Sequence, residues 1–366
     1  MSAYSRRDAL KLGAALALTP ALGSGELCRQ ATAQEPAVAT PGPYDDAVLV
    51  DGEPAALADG SFTIAVLPDT QNYSEKFPKL YLAQTDWIVK NRQPRNIACV
   101  LHLGDITQTN TAVEWKVAAR AMKQLDGHVP YFMTLGNHDY SANGKCVDRT
   151  THFNTYFPLA KYRTAPTFGG VYDREPDRLE NSFHTFAVGD RKFLVLSLEF
   201  GPRADVLRWA NQVVADHRDR EAILITHAYM FHNDTRYDWN KYGKQQNWNP
   251  HAYGVAAATS DDVNDGEELW QKLVSKHENF ILTLNGHVLV DGLGRTVTPT
   301  PGGRDVHQVL VNFQMRPVGG DGWLRLLEFR ADRKTVEVVD YSPTRNQHNN
   351  SPQNRFTMQI APVAHA

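Results

Sequence analysis

From residue 62 onward, short apolar runs alternate with longer stretches in which apolar residues recur every three or four positions. The runs Phe62–Leu67, Ile97–Leu103, Tyr131–Leu135, Phe193–Leu198, Ala222–Thr226 and Phe280–Leu284 are apolar along most of their length. A strand with one wet face would alternate apolar and polar residues, so these predict strands buried on both faces. Between them, Leu80–Asn91, Val113–Leu125, Ala204–His217 and Glu267–His277 carry apolar stripes at helical spacing. Thr111 and Glu114 stand at capping-box spacing before the second helix, and Asp265 is placed to cap the fourth. Buried strands alternating with helices predict an α/β fold.

Other stretches complete the outline. Ser182–Val188 and Lys192–Ser197 flank Gly189-Asp190-Arg191 and predict a hairpin. Val306–Phe313, Trp323–Phe329 and Thr335–Asp340 predict three late strands that complete a second sheet. Residues 34–61 are rich in Ala, Pro and Gly and predict a linker with one short strand at Ala47–Val50. One domain then spans 62–345, and 346–366 is expected as a C-terminal tail. Asp139–Glu180 and Ala228–Asp265 are too long for plain connectors, and long loops on a rigid scaffold often build binding sites.

The first 33 residues have a different character. Ser5-Arg6-Arg7-Asp8 is followed by an apolar run from Leu12 to Leu22 and by the small-residue site Ala31-Thr32-Ala33. That order predicts a cleaved export signal. The paired arginines resemble a twin-arginine signal, implying the twin-arginine export machinery as a partner and a periplasmic or secreted product. The apolar run is short for a bilayer span, so no membrane span is expected in the mature form. A net charge of -3 gives no basic stripe for nucleic acid. Only Cys99 and Cys146 follow the signal, too few for a disulfide scaffold.

The chemistry gathers where the strands end. Five apolar runs lead into Pro68-Asp69-Thr70-Gln71, Gly104-Asp105, Gly136-Asn137-His138-Asp139, His227 and Asn285-Gly286-His287. In open α/β sheets ligands bind beyond the carboxyl ends of the strands. Carboxylate, amide and imidazole groups at five such ends would converge if the strands share a sheet, and together they suit Zn, Fe, Mn or Ni. Glycines 104, 136 and 286 are expected to allow the sharp turns that aim them.

This ordered series resembles the calcineurin-like metallophosphoesterase family from about Phe62 to Ser342. The resemblance implies a four-layer α-β-β-α sandwich of two facing mixed sheets flanked by helices, with two divalent metal ions (Fe, Mn or Zn). It implies Asp69 and Gln71 as first-site ligands, Asp105 as the carboxylate between the metals, and Asn137, His227 and His287 as second-site ligands. His138, backed by Asp139, would assist the leaving group while water activated between the metals attacks phosphorus. Two positions depart from the pattern: Gln71 and Leu289 stand where the family usually has histidine. The first metal would then bind loosely, prefer a harder ion, or borrow a ligand from elsewhere. Gln108 stands where purple acid phosphatases carry a ligand tyrosine, which argues against that branch.

The expected function is metal-dependent hydrolysis of a small phosphate ester. The alternatives are a phosphodiesterase acting on a nucleotide or lipid headgroup, and a metal-bearing binding protein with a degraded first site. Tyr229, Arg236 and Arg316 are candidate substrate contacts, and His102 is expected in the core or behind the ligands.

Overall fold

The computed structural model of the protein describes residues 44–363 apart from residue 46. The expected export signal and the first part of the linker lie outside the described residues. In chain order the strands are β1 (Leu49–Asp51), β2 (Phe62–Leu67), β3 (Ile97–His102), β4 (Tyr131–Met133), β5 (Phe168–Val171), β6 (Ser182–Val188), β7 (Arg191–Ser197) and β8 (Glu221–Ile225). They continue with β9 (Phe280–Asn285), β10 (Leu293–Pro299), β11 (Asp305–Val311), β12 (Leu324–Phe329), β13 (Thr335–Ser342), β14 (Gln347–Asn349) and β15 (Arg355–Gln359).

They form two sheets. One runs β1-β14-β13-β12-β2-β3-β4, with β15 paired to β13; the other runs β10-β11-β9-β8-β7-β6-β5. β2, β3 and β4 are mutually parallel, as are β7, β8, β9 and β11, and the outer strands are antiparallel.

The double burial read from the sequence is resolved by the strand period of two. Ile64 and Val66 of β2, with Cys99 and Leu101 of β3, belong to the same apolar core as Phe193 and Val195 of β7 and Ile223 and Ile225 of β8. Ala65, Leu67 and Val100, one residue out of step, join the outer layer with Tyr81, Trp115 and Met122. The Pro78–Asn91 helix lies on the first sheet, where Trp87 meets Tyr341 with ring centroids 5.0 Å apart. The Ala204–Asp216 helix lies on the second, where Trp209 meets Phe183 at 6.2 Å. The result is the expected four-layer α-β-β-α arrangement. Each fully buried Leu, Ile or Phe contributes about 1.5–3 kcal/mol of transfer free energy, so both apolar layers favour this one register.

Two expectations are corrected. The late strands do not share a sheet: β11 joins the second, while β12 and β13 pair beside β2 in the first. The expected tail contributes β14 and β15, both paired with β13. β14 and β15 are short and mostly polar, so no apolar run announces them. The short strand expected in the linker at Ala47–Val50 is present as β1, Leu49–Asp51, and pairs with β14. The fourth helix stops at Lys272, and a 3-10 turn carries the chain from Val274 to Lys276. Cys99 and Cys146 are buried and unpaired with each other. Among the described residues no helix is long and apolar enough to cross a membrane.

Candidate metal centre

β2, β3 and β4 end on one sheet and β8 and β9 on the other, yet their polar exits meet. The five strands belong to two sheets; the site lies across the mouth of the sandwich, where both sheets deliver their carboxyl ends. Asp105, His227 and His287 each offer a ligand atom, and the three atoms lie within 4.8 Å of one another. The His227 and His287 ring centroids are 4.8 Å apart. His227 Nε2 stands 3.1 Å from Asp105 Oδ1 and 3.9 Å from Asp69 Oδ1.

Backbone conformation aims these groups. Asp69, Asp105 and His287 have φ of 39°, 46° and 78°, the left-handed region that non-glycine residues seldom occupy and that collects at functional sites. Gly136 and Gly286 give clearance. A Cβ on Gly136 would lie 2.1 Å from Asp105 Oδ1, and one on Gly286 would lie 2.0 Å from Asp69 Oδ2. The carboxylates therefore pack directly against bare backbone. Of the three glycines read as turn formers, only Gly104 has a positive φ, +93°.

Hydrogen bonds decide which atom each imidazole presents. A carbonyl oxygen only accepts, so a ring nitrogen bonded to one carries the proton. His227 Nδ1 donates to the Leu103 carbonyl at 2.7 Å, leaving Nε2 to face the carboxylates. His287 Nε2 donates to the Trp248 carbonyl at 2.8 Å, leaving Nδ1 as its ligand atom. His138 Nδ1 donates to the Gln108 carbonyl at 2.8 Å, which leaves Nε2 available.

Asp105 divides its two oxygens. Oδ1 accepts from the His138 backbone N–H at 3.0 Å on the His227 side, and Oδ2 accepts from Gln71 Nε2 at 3.1 Å. A carboxylate turned two ways is what a shared ligand of two cations requires. Asp69 Oδ1 accepts from the His287 backbone N–H at 2.9 Å.

The charges in the site are mutually dependent. Burial pushes the Asp69 carboxyl well above its usual range, with His227 opposing. Burial also pushes Asp105 upward, but the His227 and His138 charges overcome it and hold Asp105 low. Burial lowers His227, yet Asp105 and Asp69 raise it to about 9. His287 is pushed down to about 3 by burial and by the His227 charge.

A metal fits this donor set. Asp69 Oδ2, Gln71 Oε1 and Asn137 Oδ1 are buried side-chain atoms with no hydrogen-bond partner. Buried polar atoms are nearly always satisfied, so three unpaired oxygens at one mouth, beside a His227 Nε2 that faces only carboxylates, mark a cation site.

Several expected roles change. Asp139 does not touch the His138 ring. Its carboxylate accepts from the backbone N–H groups of Gly136, Ile106 and Thr107 and from the Thr107 hydroxyl, at 2.8–3.0 Å. It ties the two ligand loops together, while the Gln108 carbonyl orients His138. Tyr229 is fully buried. Arg236 bonds Glu267, Thr298 and Gln308 and lies 4.8 Å above the Trp270 ring, packed inside the structure. Arg316 lies 4.9 Å above the Tyr44 ring. None of the three is shown in contact with a metal ligand. His102 holds Thr70 from behind, with Nε2 2.9 Å from the Thr70 hydroxyl, and burial pushes it down to about 3.

One residue at the mouth lies outside the expected set. Gln314, just beyond β11, accepts through Oε1 from Gln71 Nε2. A signal for it is present in the sequence: β11 too is an apolar run ending in polar residues, Asn312-Phe313-Gln314.

Known proteins bear on this geometry. Over 303 residues the chain is 29% identical to an uncharacterized protein of Bacillus subtilis (strain 168), YvnB, covering 81% of this chain and 21% of that one. The chain thus spans about a fifth of the length of that relative. Among solved structures, the purple acid phosphatase PPD1 of yellow lupin (Lupinus luteus) seeds aligns with a TM-score of 0.47 at 13% identity, covering 84% of this chain and 55% of that one. A 5'-nucleotidase precursor from Thermus thermophilus aligns with a TM-score of 0.39 at 13% identity, covering 83% and 56%. The family model for calcineurin-like phosphoesterases matches residues 62–356, from β2 into β15. With most of its length inside that match, this chain belongs to the calcineurin-like phosphoesterase family.

Proposed function

We propose that the protein hydrolyses small phosphate esters at a two-metal centre, with His138 as the acid for the leaving oxygen. The observation that carries this reading is the set of unpartnered buried oxygens, Asp69 Oδ2, Gln71 Oε1 and Asn137 Oδ1, around an Asp105 that faces two ways.

His227, His287, Asn137 and Asp105 would hold the second ion, and Asp69, Gln71 and Asp105 the first. Bound there, divalent ions supply positive charge to phosphate oxygens and make water nucleophilic near neutral pH. The chain's own residues do the rest. Asp105 keeps a negative charge between the two cation positions. The Leu103 and Trp248 carbonyls fix the imidazole faces of His227 and His287. Gln108 holds the His138 Nδ1–H, so the ring would act as the acid when it also carries a proton on Nε2, giving that second proton to the departing oxygen and returning to the neutral ring.

The test is metal content together with turnover on a panel of phosphate mono- and diesters. His138→Gln is expected to lower kcat by about 10²–10⁴-fold with metal retained. The loss should grow as the leaving alcohol becomes more basic. A flat dependence on the leaving group would remove His138 from that role. Metal-loaded protein silent on every ester would leave a binding protein in place of an enzyme.

Export belongs to the same proposal, supported by Arg6-Arg7 and the Leu12–Leu22 run. Cell fractionation of an Arg6→Lys/Arg7→Lys variant is expected to show cytoplasmic retention. Unchanged export would point to an ordinary secretory signal.

A further inference from the structure

β11 runs parallel to β9 in register, Leu310 beside Asn285, so both strands reach the mouth of the sandwich together. β9 delivers Asn285-Gly286-His287 there. β11 delivers a turn held by two bonds: Asn312 N–H donates to the Gly292 carbonyl at 2.8 Å, and Gln314 N–H donates to Asn312 Oδ1 at 2.9 Å. This turn carries the Gln314 amide to Gln71.

Around Gln71 the atoms form an unusual set. Its Nε2 meets Asp105 Oδ2 and Gln314 Oε1, while its Oε1 is buried without a partner. The two ends of an amide have the same shape and exchange by rotation about one bond. After that exchange, three oxygens from β2's exit, β3's exit and β11's exit would face one another. Such a group repels itself unless a cation lies within it. Leu289, in the position expected to carry an imidazole, has no donor atom.

We propose that Gln314 is a ligand of the first metal, delivered by the strand beside β9 in place of the absent imidazole. The first site then consists only of oxygen donors, from Asp69, Gln71, Asp105 and Gln314. Its neighbour draws two imidazoles from His227 and His287. Oxygen donors favour Mg and Mn, whereas imidazole favours Zn and Fe. The centre is therefore mixed by construction, with a hard, exchangeable ion in the first site and a softer, retained ion in the second.

This inference rests on the two-metal reading above, and the experiment separates the two. Chelator-treated protein is reloaded with Zn and Mn, singly and together. Bound metal is counted after desalting, and Mn affinity is read by electron paramagnetic resonance. Wild type is expected to keep one Zn and to bind one Mn more weakly. Gln314→Ala should weaken Mn by about tenfold or more while Zn stays bound. Gln314→Glu should tighten Mn, which keeps the test open if the alanine variant folds poorly. Unchanged Mn affinity in either variant, with wild type binding both ions, overturns the role of Gln314 and leaves the phosphoesterase reading standing. Wild type that binds neither ion, or Asp105→Asn that binds both normally, overturns the two-metal reading itself.

Discussion

His138 and Asp139 are adjacent in the chain, yet the structure gives them separate tasks. Asp139 is an acceptor for four donors from two loops, and a buried carboxylate so used is a fastener. Asp139→Asn would turn an amide N–H toward backbone N–H groups and leave buried donors unmatched, at about 1–3 kcal/mol. The expected outcome is a lower unfolding midpoint and weaker metal binding together, read by thermal melts and metal titration. His138→Gln should change neither. Equal behaviour of the two variants would mean that the pair works as one unit. The sequence shows that position 139 matters and cannot show how, because its partners lie about thirty residues upstream, where only folding brings them.

At the scale of elements, strands buried on both faces are the most legible, since each is a continuous apolar run. β2 is legible to the residue. β5, β10, β14 and β15 are not: Phe168–Val171 contains two glycines and lies at an edge, and Leu293–Pro299 has mostly half-exposed residues and ends in proline. Gln314 escapes sequence reading for a related reason, because β11 looks like part of a late meander and not a neighbour of β9. The core makes its own prediction. Phe193 packs against Phe62, Phe186 and Phe329 with ring centroids 4.9–5.7 Å apart. Phe193→Ala is expected to cost about 3–5 kcal/mol in denaturant unfolding. A loss under about 1 kcal/mol would contradict a tightly packed interface between the sheets.

A second element-scale prediction concerns the long loop. His251 bonds Asp261 at 2.7 Å and Glu268 at 2.8 Å, pinning the loop to the Gly266–Lys272 helix. Burial lowers its pKa, but the two carboxylates raise it to about 9. A histidine raised in the fold stabilises fully below its unfolded value of about 6.5, and that contribution is lost as pH rises through about 9. Thermal melts should show this decline, and His251→Gln should flatten it. An identical pH profile in the variant would exclude the contact as its source.

For the whole molecule, the decisive fact is that the candidate ligands come from both sheets. Metal bound at their meeting point stabilises only the assembled sandwich, by about 2.7 kcal/mol when free ion is 100 times Kd. Chelation is expected to lower the unfolding temperature of wild type. Asp105→Asn, lacking the shared carboxylate, should begin lower and respond little to added metal. Metal that leaves the wild-type midpoint unmoved would mean that it binds elsewhere.

Trp248 adds a last consequence. Its backbone has φ of 64°, and its carbonyl bonds the outward nitrogen of His287. The loop that carries Trp248 is thereby tied to a proposed metal ligand. If that loop forms a rim at the entrance, anything that tugs it, including the organic part of an arriving molecule, would alter how strongly His287 gives electrons to a bound ion. In cobalt-substituted protein the visible absorption bands should therefore shift when an uncleavable ester occupies the rim, even if its phosphorus group is replaced by one that cannot coordinate.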